Sequence, residues 1–164
     1  YTFSETKQEQ FLSEAYPYLK NLLDSAKANG QTLYVKSAYR SFQEQKSLKS
    51  AYSVTYGAGT ANAFSADQGY SEHQLGTTLD FMTSGLGGSF TGFDKTQSYI
   101  WLQENAHRYG FVLSYPKGNS YYVYEPWHWR YVGVKLATDL HDSNLFFYNL
   151  DQRDIDAFLV NLFD

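Results

Sequence analysis

The side chains best suited to metal chemistry lie in two short stretches, SEHQLGTTLD (residues 71–80) and EPWHWRY (residues 125–131). Catalytic zinc sites take three ligands from His, Asp or Glu and keep a fourth position open for water. His73, Asp80 and His128 can supply the three ligands. The carboxylate that remains, Glu125, can take a proton from the attacking water. This combination of residues predicts a zinc metallopeptidase.

The spacing within the two stretches indicates which side chains can meet. The residues before Asp80 mix β-branched and apolar types with a strand-like alternation, so Thr78 and Asp80 should share one face. Glu125 and His128 are three positions apart, and in a regular strand they would point to opposite faces. Because Pro126 holds Glu125 in an extended conformation and breaks the pleat, both side chains can still converge on one metal.

The elements that must position these residues follow from periodicity, capping signals and glycines. Ser41 with Glu44 forms a predicted capping box, and Asp94 with Gln97 is predicted to cap a later helix. Helices are predicted over 11–29, 41–54, 94–109, Val134–Asp142 and 151–162. Strands are predicted over 32–39 and 128–132, around Asp80, and as a hairpin of 111–115 with 121–124; loops are predicted over 56–69 and 84–92. Helices at both ends of a central run of strands indicate an α+β fold with an antiparallel sheet.

Composition narrows the possible functions. With 164 residues, 43% of them hydrophobic, the chain can bury one sizeable core, and we expect a single domain over 1–164. It has no cysteine, so any metal must be bound by His and carboxylate ligands. A net charge of −4 provides no basic surface for nucleic acid. The sequence contains no run of 18 or more apolar residues, so no transmembrane helix is predicted.

The two metal stretches resemble the signature of the VanY-type D-alanyl-D-alanine carboxypeptidases, zinc enzymes that trim the stem peptides of bacterial peptidoglycan. The matching residues are Ser71, His73, Gly76, Asp80, Glu125, Trp127 and His128. A third stretch, SAYRSFQEQ, resembles the family's Tyr-Arg-Ser segment, whose Arg and downstream Gln contact the substrate. Arg40 and Gln45 occupy those places, and the resemblance runs from about residue 32 to about residue 144.

The resemblance implies a fold, a cofactor and roles for single residues. The fold is that of the lysostaphin/D-Ala-D-Ala metallopeptidase/hedgehog-like group, with N- and C-terminal helices flanking a sheet that carries Zn²⁺. Arg40, Gln45 and Ser71 are implied to bind the substrate. The planar fork of Arg40 suits either the terminal carboxylate of a stem peptide or the developing oxyanion.

The implied reaction is removal of the C-terminal D-alanine from a stem peptide, either as a D,D- or as an L,D-carboxypeptidase. One departure concerns Thr78, where members of the family often carry Ala, and we expect Thr78 to narrow or polarise the pocket. His107 and His141 are expected to be structural.

Two alternatives remain open at this stage. The first is a dipeptidase that acts on free D-Ala-D-Ala. The second is a catalytically silent cell-wall-binding module stabilised by zinc, although the presence of Glu125 argues against it, because a module that only binds has no need of a free carboxylate there. The absence of a signal-peptide pattern and the start at Tyr1 suggest a trimmed mature domain. The expected location is the bacterial cell envelope or the extracellular space, and the expected state is a monomer.

Overall fold

The computed structural model describes residues 9–57 and 65–160. The helices are α1 (Tyr16–Ala28), α2 (Phe42–Tyr56), α3 (Gln97–Asn105), α4 (Val134–Asp142) and α5 (Gln152–Val160). The strands are β1 (Leu33–Ser37), β2 (Thr78–Thr83), β3 (Phe111–Leu113) and β4 (His128–Tyr131). They form one antiparallel sheet in the order β1-β2-β4-β3. The predicted α+β class with a central antiparallel sheet is confirmed.

The central strand β2 is buried along its whole length. Leu79 and Phe81 are fully buried in the main apolar cluster, which also contains Leu22 of α1 and Leu102 of α3. Because side chains alternate along a strand, Asp80 projects to the other side of the sheet. Both sides of this strand are buried, so Asp80 is a charged group in the protein interior that needs partners there.

The first helix begins at Tyr16, so the predicted start at residue 11 is wrong. Pro17 lies in the first turn, where its missing N–H costs nothing, whereas a start at Phe11 would place the ring inside the helix. The residues before the helix have another role. The amide of Leu12 donates to the carbonyl of Gly76 at 2.8 Å, which ties the N-terminal segment to the turn that carries His73.

The second helix begins with the predicted capping box. The Ser41 hydroxyl accepts from the amide of Glu44 at 3.2 Å, and the Glu44 carboxylate accepts from the amide of Ser41 at 2.8 Å. This box fixes the backbone directly after Arg40. The helix continues to Tyr56, and residues 58–64 of the predicted loop lie outside the described residues.

The third predicted helix is divided, and so is wrong in its bounds. Thr96 caps α3 through a bond from the amide of Tyr99 at 3.1 Å, in place of the predicted Asp94. A 3-10 turn, Ala106–Tyr109, follows and ends at Gly110. Gly110 has a φ of 83°, and a Cβ there would lie 2.6 Å from the ring of Tyr131, so both conformation and space require glycine.

The predicted hairpin of 111–115 with 121–124 is wrong. The partner of β3 is β4, and residues 121–124 contain no strand. The amides of Tyr121 and Tyr122 donate to the side-chain oxygen of Asn119 at 3.0 and 2.8 Å. This local turn uses the N–H groups that a strand ladder would need. The helix α4 has its predicted bounds, and the last predicted helix ends beyond the described residues. Among the described residues, no helix combines the length and the hydrophobicity that a membrane span requires.

Candidate metal centre

The two predicted histidines and Asp80 come from three different elements. His73 lies on a 3-10 turn, Glu72–Leu75, which Gly76 closes with a φ of 74°. Asp80 lies on β2 and His128 begins β4, and the antiparallel register places these two residues directly opposite each other. The structure therefore brings together residues that are as far as 55 positions apart in the sequence.

The side chains of these three residues converge and are buried. Nε2 of His73 lies 3.3 Å from Oδ2 of Asp80, and Nδ1 of His128 lies 3.2 Å from Oδ1. One ligand atom from each residue lies within 4.8 Å of the other two. Nδ1 of His73 is 2.6 Å from the carbonyl oxygen of Ala38. Because a carbonyl can only accept a hydrogen bond, Nδ1 carries the proton and Nε2 is free to act as a ligand.

These three residues fit a zinc ion. Two imidazole nitrogens and one carboxylate are one of the donor sets found in catalytic zinc sites. Within the described part of the chain, Oδ1 of Asp80 is buried without a hydrogen bond of good geometry, and a metal would satisfy it.

The electrostatics of the centre are those of a buried site for a cation. Burial would raise the pKa of Asp80, but the adjacent imidazoles of His73 and His128 hold it well below its usual range. Burial would lower the pKa of His128, but the carboxylates of Asp80 and Glu72 raise it to about 9. A divalent cation can replace the proton that these carboxylates attract.

Glu125 lies at the edge of the centre. Its Oε2 is 3.5 Å from Nδ1 of His128, and its side chain is 19% exposed. The amide of His128 donates to the carbonyl of Glu125 at 3.1 Å, so the chain turns around Pro126 before β4 begins. This confirms the predicted kink. Burial, together with the charges of Asp80 and Glu72, outweighs the attraction of His128 and Arg40 and raises the pKa of Glu125 to about 7.

Arg40 stands on a second wall of the same cavity, between β1 and α2. Its backbone amide donates to the carbonyl of His73 at 3.1 Å, and its guanidinium donates to Oε1 of Gln45 at 2.8 Å and to Oγ of Ser37 at 3.4 Å. The Gln45 amide nitrogen in turn donates to Ser65 and to the carbonyl of Ala66, at 3.0 and 2.7 Å. Gln45 is thus placed as a support beneath the guanidinium.

A cavity of about 320 Å³ joins these groups. Its wall includes all seven residues predicted to form the site, which are Arg40, Gln45, Ser71, His73, Asp80, Glu125 and His128. Aromatic side chains complete it, among them Trp127, whose ring stacks on Phe90 at 4.6 Å between centroids. The cavity therefore combines a cationic group, a free carboxylate and apolar surface.

Three other predictions can be compared with this geometry. Thr78 is fully buried and does not belong to the cavity wall, so the expected narrowing of the pocket by Thr78 is wrong. It lies opposite Arg130 in the sheet. His107 and His141 stack on each other with ring centroids 3.7 Å apart, outside the cavity.

Two residues close to the centre were not predicted. Oε2 of Glu72 lies 2.8 Å from Nε2 of His128, and Oε1 of Glu72 accepts from the hydroxyl of Tyr148 at 2.7 Å. Burial would raise the pKa of Glu72, but its bonds and the charges of His128 and Arg130 lower it to about 2. Nothing in the local pattern marks Glu72 as buried, because a glutamate in a short polar turn is normally exposed.

Comparison with known proteins places this centre in a family. The profile described as "VanY: D-alanyl-D-alanine carboxypeptidase" matches residues 8–134. The chain is 37% identical over 150 residues to the Bacillus subtilis protein YodJ, named as a carboxypeptidase, covering 88% of this chain and 55% of that protein. It is 34% identical to a D-alanyl-D-alanine carboxypeptidase of Enterococcus faecalis, covering 79% of this chain and 51% of the relative.

Solved structures agree with the sequence comparison. The LdcB LD-carboxypeptidase superposes with a TM-score of 0.80 at 36% identity, over 87% of this chain and 70% of that one. A mutant of the vancomycin-resistance D,D-pentapeptidase VanY in complex with Zn(II) superposes with a TM-score of 0.76 at 33% identity, over 88% and 85% of the two chains. The chain spans about half the length of the two curated relatives named above. From the extent of these matches, the chain belongs to the VanY family of D-alanyl-D-alanine carboxypeptidases.

Proposed function

We propose that this chain is a zinc-dependent carboxypeptidase that removes the C-terminal D-alanine from peptidoglycan stem peptides at the bacterial cell envelope. One observation carries the proposal. A buried His-Asp-His cluster, a free carboxylate with a pKa near neutrality and an arginine all face the same cavity. A relative of this chain has been crystallised with D-alanine-D-alanine, which supports the substrate class.

His73, Asp80 and His128 would hold the zinc ion. When bound, zinc polarises a peptide carbonyl and lowers the pKa of water towards neutrality. The protein supplies the fixed ligand orientations, because the carbonyl of Ala38 sets the tautomer of His73 and the sheet register holds Asp80 against His128. Burial of all three side chains keeps the electrostatic interactions in the centre strong.

Glu125 would serve as the general base and then as the general acid. A carboxylate with a pKa of about 7 can accept a proton from the attacking water and return it to the leaving amine near neutral pH. The turn at Pro126 fixes the backbone of Glu125, while its 19% exposure leaves the carboxylate open to the cavity. A module that only bound the cell wall would gain nothing from such a group, so this carboxylate favours an enzyme.

Arg40 would bind the terminal carboxylate of the substrate. A guanidinium can donate two parallel hydrogen bonds to a carboxylate, and one face of this group is already held by Gln45 and Ser37. Ser71, 8% exposed in the cavity wall, would bind the peptide beside it. We propose that Gln45 contributes to binding mainly by keeping Arg40 in place.

Zinc binding to the metal-free protein at pH 7 is expected to release about one proton. The pKa of His128 is raised to about 9, so its imidazole carries two protons at pH 7, and the metal requires the lone pair of Nδ1. The apparent zinc affinity should therefore rise with pH until about pH 9. Calorimetry in two buffers with different ionisation enthalpies measures the released proton, and a heat independent of the buffer would contradict the expectation.

A stem peptide with an amidated C-terminus is expected to be a poor substrate, because it lacks the charge that Arg40 would bind. Arg40→Lys should reduce kcat/KM for the free acid by about tenfold or more, since an ammonium cannot reproduce the paired bonds of a guanidinium. Arg40→Ala should lower kcat/KM for the amidated peptide much less than for the free acid. The substitution and the amidation remove the same ion pair, so their effects should not add. Initial rates with the two peptides test this expectation.

Arg108→Lys provides a matched control, because Arg108 is exposed on the turn after α3 and does not line the cavity. This variant should cleave the free acid at the parental rate. If the parent cleaves amide and acid equally well, recognition of the terminus is excluded. An endopeptidase, with Arg40 at the oxyanion, would then be favoured.

The proposed activity covers cleavage of either a D,D- or an L,D-peptide bond before the terminal D-alanine. Similar proteins carry either name, a D-alanyl-D-alanine carboxypeptidase in Enterococcus faecalis and an L,D-carboxypeptidase DacB in Streptococcus pneumoniae. The cavity wall of this chain would bind the last residue through a carboxylate that is common to both substrates.

A further inference from the structure

Glu72 is a buried carboxylate with a full set of donors. Its side chain is only 4% exposed. Oε2 accepts from Nε2 of His128 at 2.8 Å, and Oε1 accepts from Arg130 at 2.9 Å and from the hydroxyl of Tyr148 at 2.7 Å. Because the carboxylate is buried, loss of any one of these three partners would leave a buried polar group without a hydrogen bond, which is destabilising.

The bond to Glu72 determines which nitrogen of His128 can bind a metal. An ionised carboxylate only accepts hydrogen bonds, so Nε2 of His128 must carry a proton. The other nitrogen, Nδ1, lies 3.2 Å from Oδ1 of Asp80 and points towards the centre. Glu72 therefore holds the ring in the tautomer and orientation that present the Nδ1 lone pair to the metal.

The C-terminal part of the chain holds Glu72 in turn. Tyr148 lies on a 3-10 turn, Phe147–Asn149, beyond residues 8–134 that match the family profile. The guanidinium of Arg130 lies over the ring of Phe147, 4.5 Å from its centroid. The same short turn thus supplies one donor to Glu72 directly and packs against the second.

We propose that Glu72 is a positioning residue for the metal centre, which acts through His128, and that Tyr148 completes this support. The inference rests on the proposed assignment of His128 as a zinc ligand. It assigns a role to the turn Phe147–Asn149, whose Tyr148 lies 76 positions from Glu72 in the sequence. The turn would contribute to metal affinity through Glu72 and Arg130.

Glu72→Gln tests the role of the charge with little change in shape. If the amide nitrogen of the introduced side chain faces His128, Nε2 must accept, the proton moves to Nδ1, and the lone pair for the metal is lost. If that nitrogen faces Arg130, two donors meet and one remains unsatisfied. Either orientation should lower zinc affinity by about 10–100-fold, the usual cost of removing an outer partner of a metal ligand.

Tyr148→Phe tests the support that the Tyr148 hydroxyl gives to Glu72, and Tyr121→Phe is its matched control. Tyr121 packs against Tyr148 with ring centroids 4.7 Å apart, but its hydroxyl donates to the carbonyl of Ser114. Tyr148→Phe should lower zinc affinity, by less than Glu72→Gln does, while Tyr121→Phe should leave it unchanged. In the Glu72→Gln background, the effect of Tyr148→Phe on zinc affinity should largely disappear. Tyr148 acts on His128 through Glu72, so both variants interrupt the same series of hydrogen bonds.

The measurements are zinc affinity by competition with a chelator, and the tautomer of His128 by ¹⁵N NMR of the metal-free protein above pH 9, where this imidazole is neutral. Both use variants of the 164-residue chain whose circular dichroism matches the parent. We expect weaker zinc binding and a larger share of the Nδ1–H form in Glu72→Gln. Parental zinc affinity in both Glu72→Gln and Tyr148→Phe would overturn the proposal. Should Glu72→Gln fail to fold, an unchanged affinity in Tyr148→Phe alone would overturn it. Zinc affinity is measured without substrate, so this result is independent of whether the protein cleaves stem peptides.

Discussion

Glu125→Gln is expected to lower the turnover of stem peptides by about 10²–10⁴-fold, the usual contribution of a general base. The substitution keeps the size of the side chain and removes its ability to accept a proton. Zinc affinity should change little, because Glu125 lies outside the His-Asp-His cluster and only its Oε2 approaches His128, at 3.5 Å. The expected signature is therefore a folded, zinc-loaded and nearly inactive protein.

The experiment combines kcat measurement with metal analysis of the same preparation. Glu104→Gln, an exposed change of the same kind on α3, serves as the control and should retain parental turnover. Parental turnover in Glu125→Gln would mean that another group accepts the proton. Loss of zinc together with turnover would assign Glu125 to the metal instead.

The second large effect is expected at the three candidate ligands. His73→Ala, Asp80→Ala and His128→Ala should each lower zinc affinity by more than about 10²-fold, since removing even an outer partner of a ligand costs 10–100-fold. Each change deletes one of only three protein donors, and the remaining two hold a catalytic zinc weakly. Activity should be lost in all three variants.

His141→Ala is the matched control for the ligand variants. His141 is an exposed histidine that stacks on His107 away from the cavity. The His141→Ala variant should bind zinc with the parental affinity. Full zinc occupancy in all three ligand variants would reject the assignment of the centre.

Short-range chemistry explains what could be predicted of this fold. The capping box at Ser41 is a local pattern that needs no tertiary information, and the structure has it. The alternation around Asp80 likewise indicates which face of the strand carries this candidate ligand. The three candidate metal ligands could be chosen because few residue types bind zinc and the chain has no cysteine.

The failures have a local cause in one place and a long-range cause in another. Tyr121 and Tyr122 have the composition of a strand, but the side chain of Asn119 accepts hydrogen bonds from their amides, and this local turn competes with the predicted hairpin. Glu72 and Tyr148 are 76 positions apart in the sequence, and no local pattern indicates that the Glu72 side chain is buried against His128 or that Tyr148 contacts it. Their contact depends on how the whole chain folds, and local sequence patterns do not show which distant residues will meet.

The account is tested most directly by mass spectrometry of defined stem peptides after incubation with the zinc-loaded protein. One arm contains a pentapeptide ending in D-Ala-D-Ala, a second a tetrapeptide ending in D-Ala after the L-configured diamino acid, and a third free D-Ala-D-Ala. Glu125→Gln provides the inactive control. We predict that the parent removes a single C-terminal D-alanine from at least one stem peptide and that the control does not. Cleavage of the free dipeptide alone would favour a dipeptidase, and binding of the stem peptides without hydrolysis would contradict the enzymatic account.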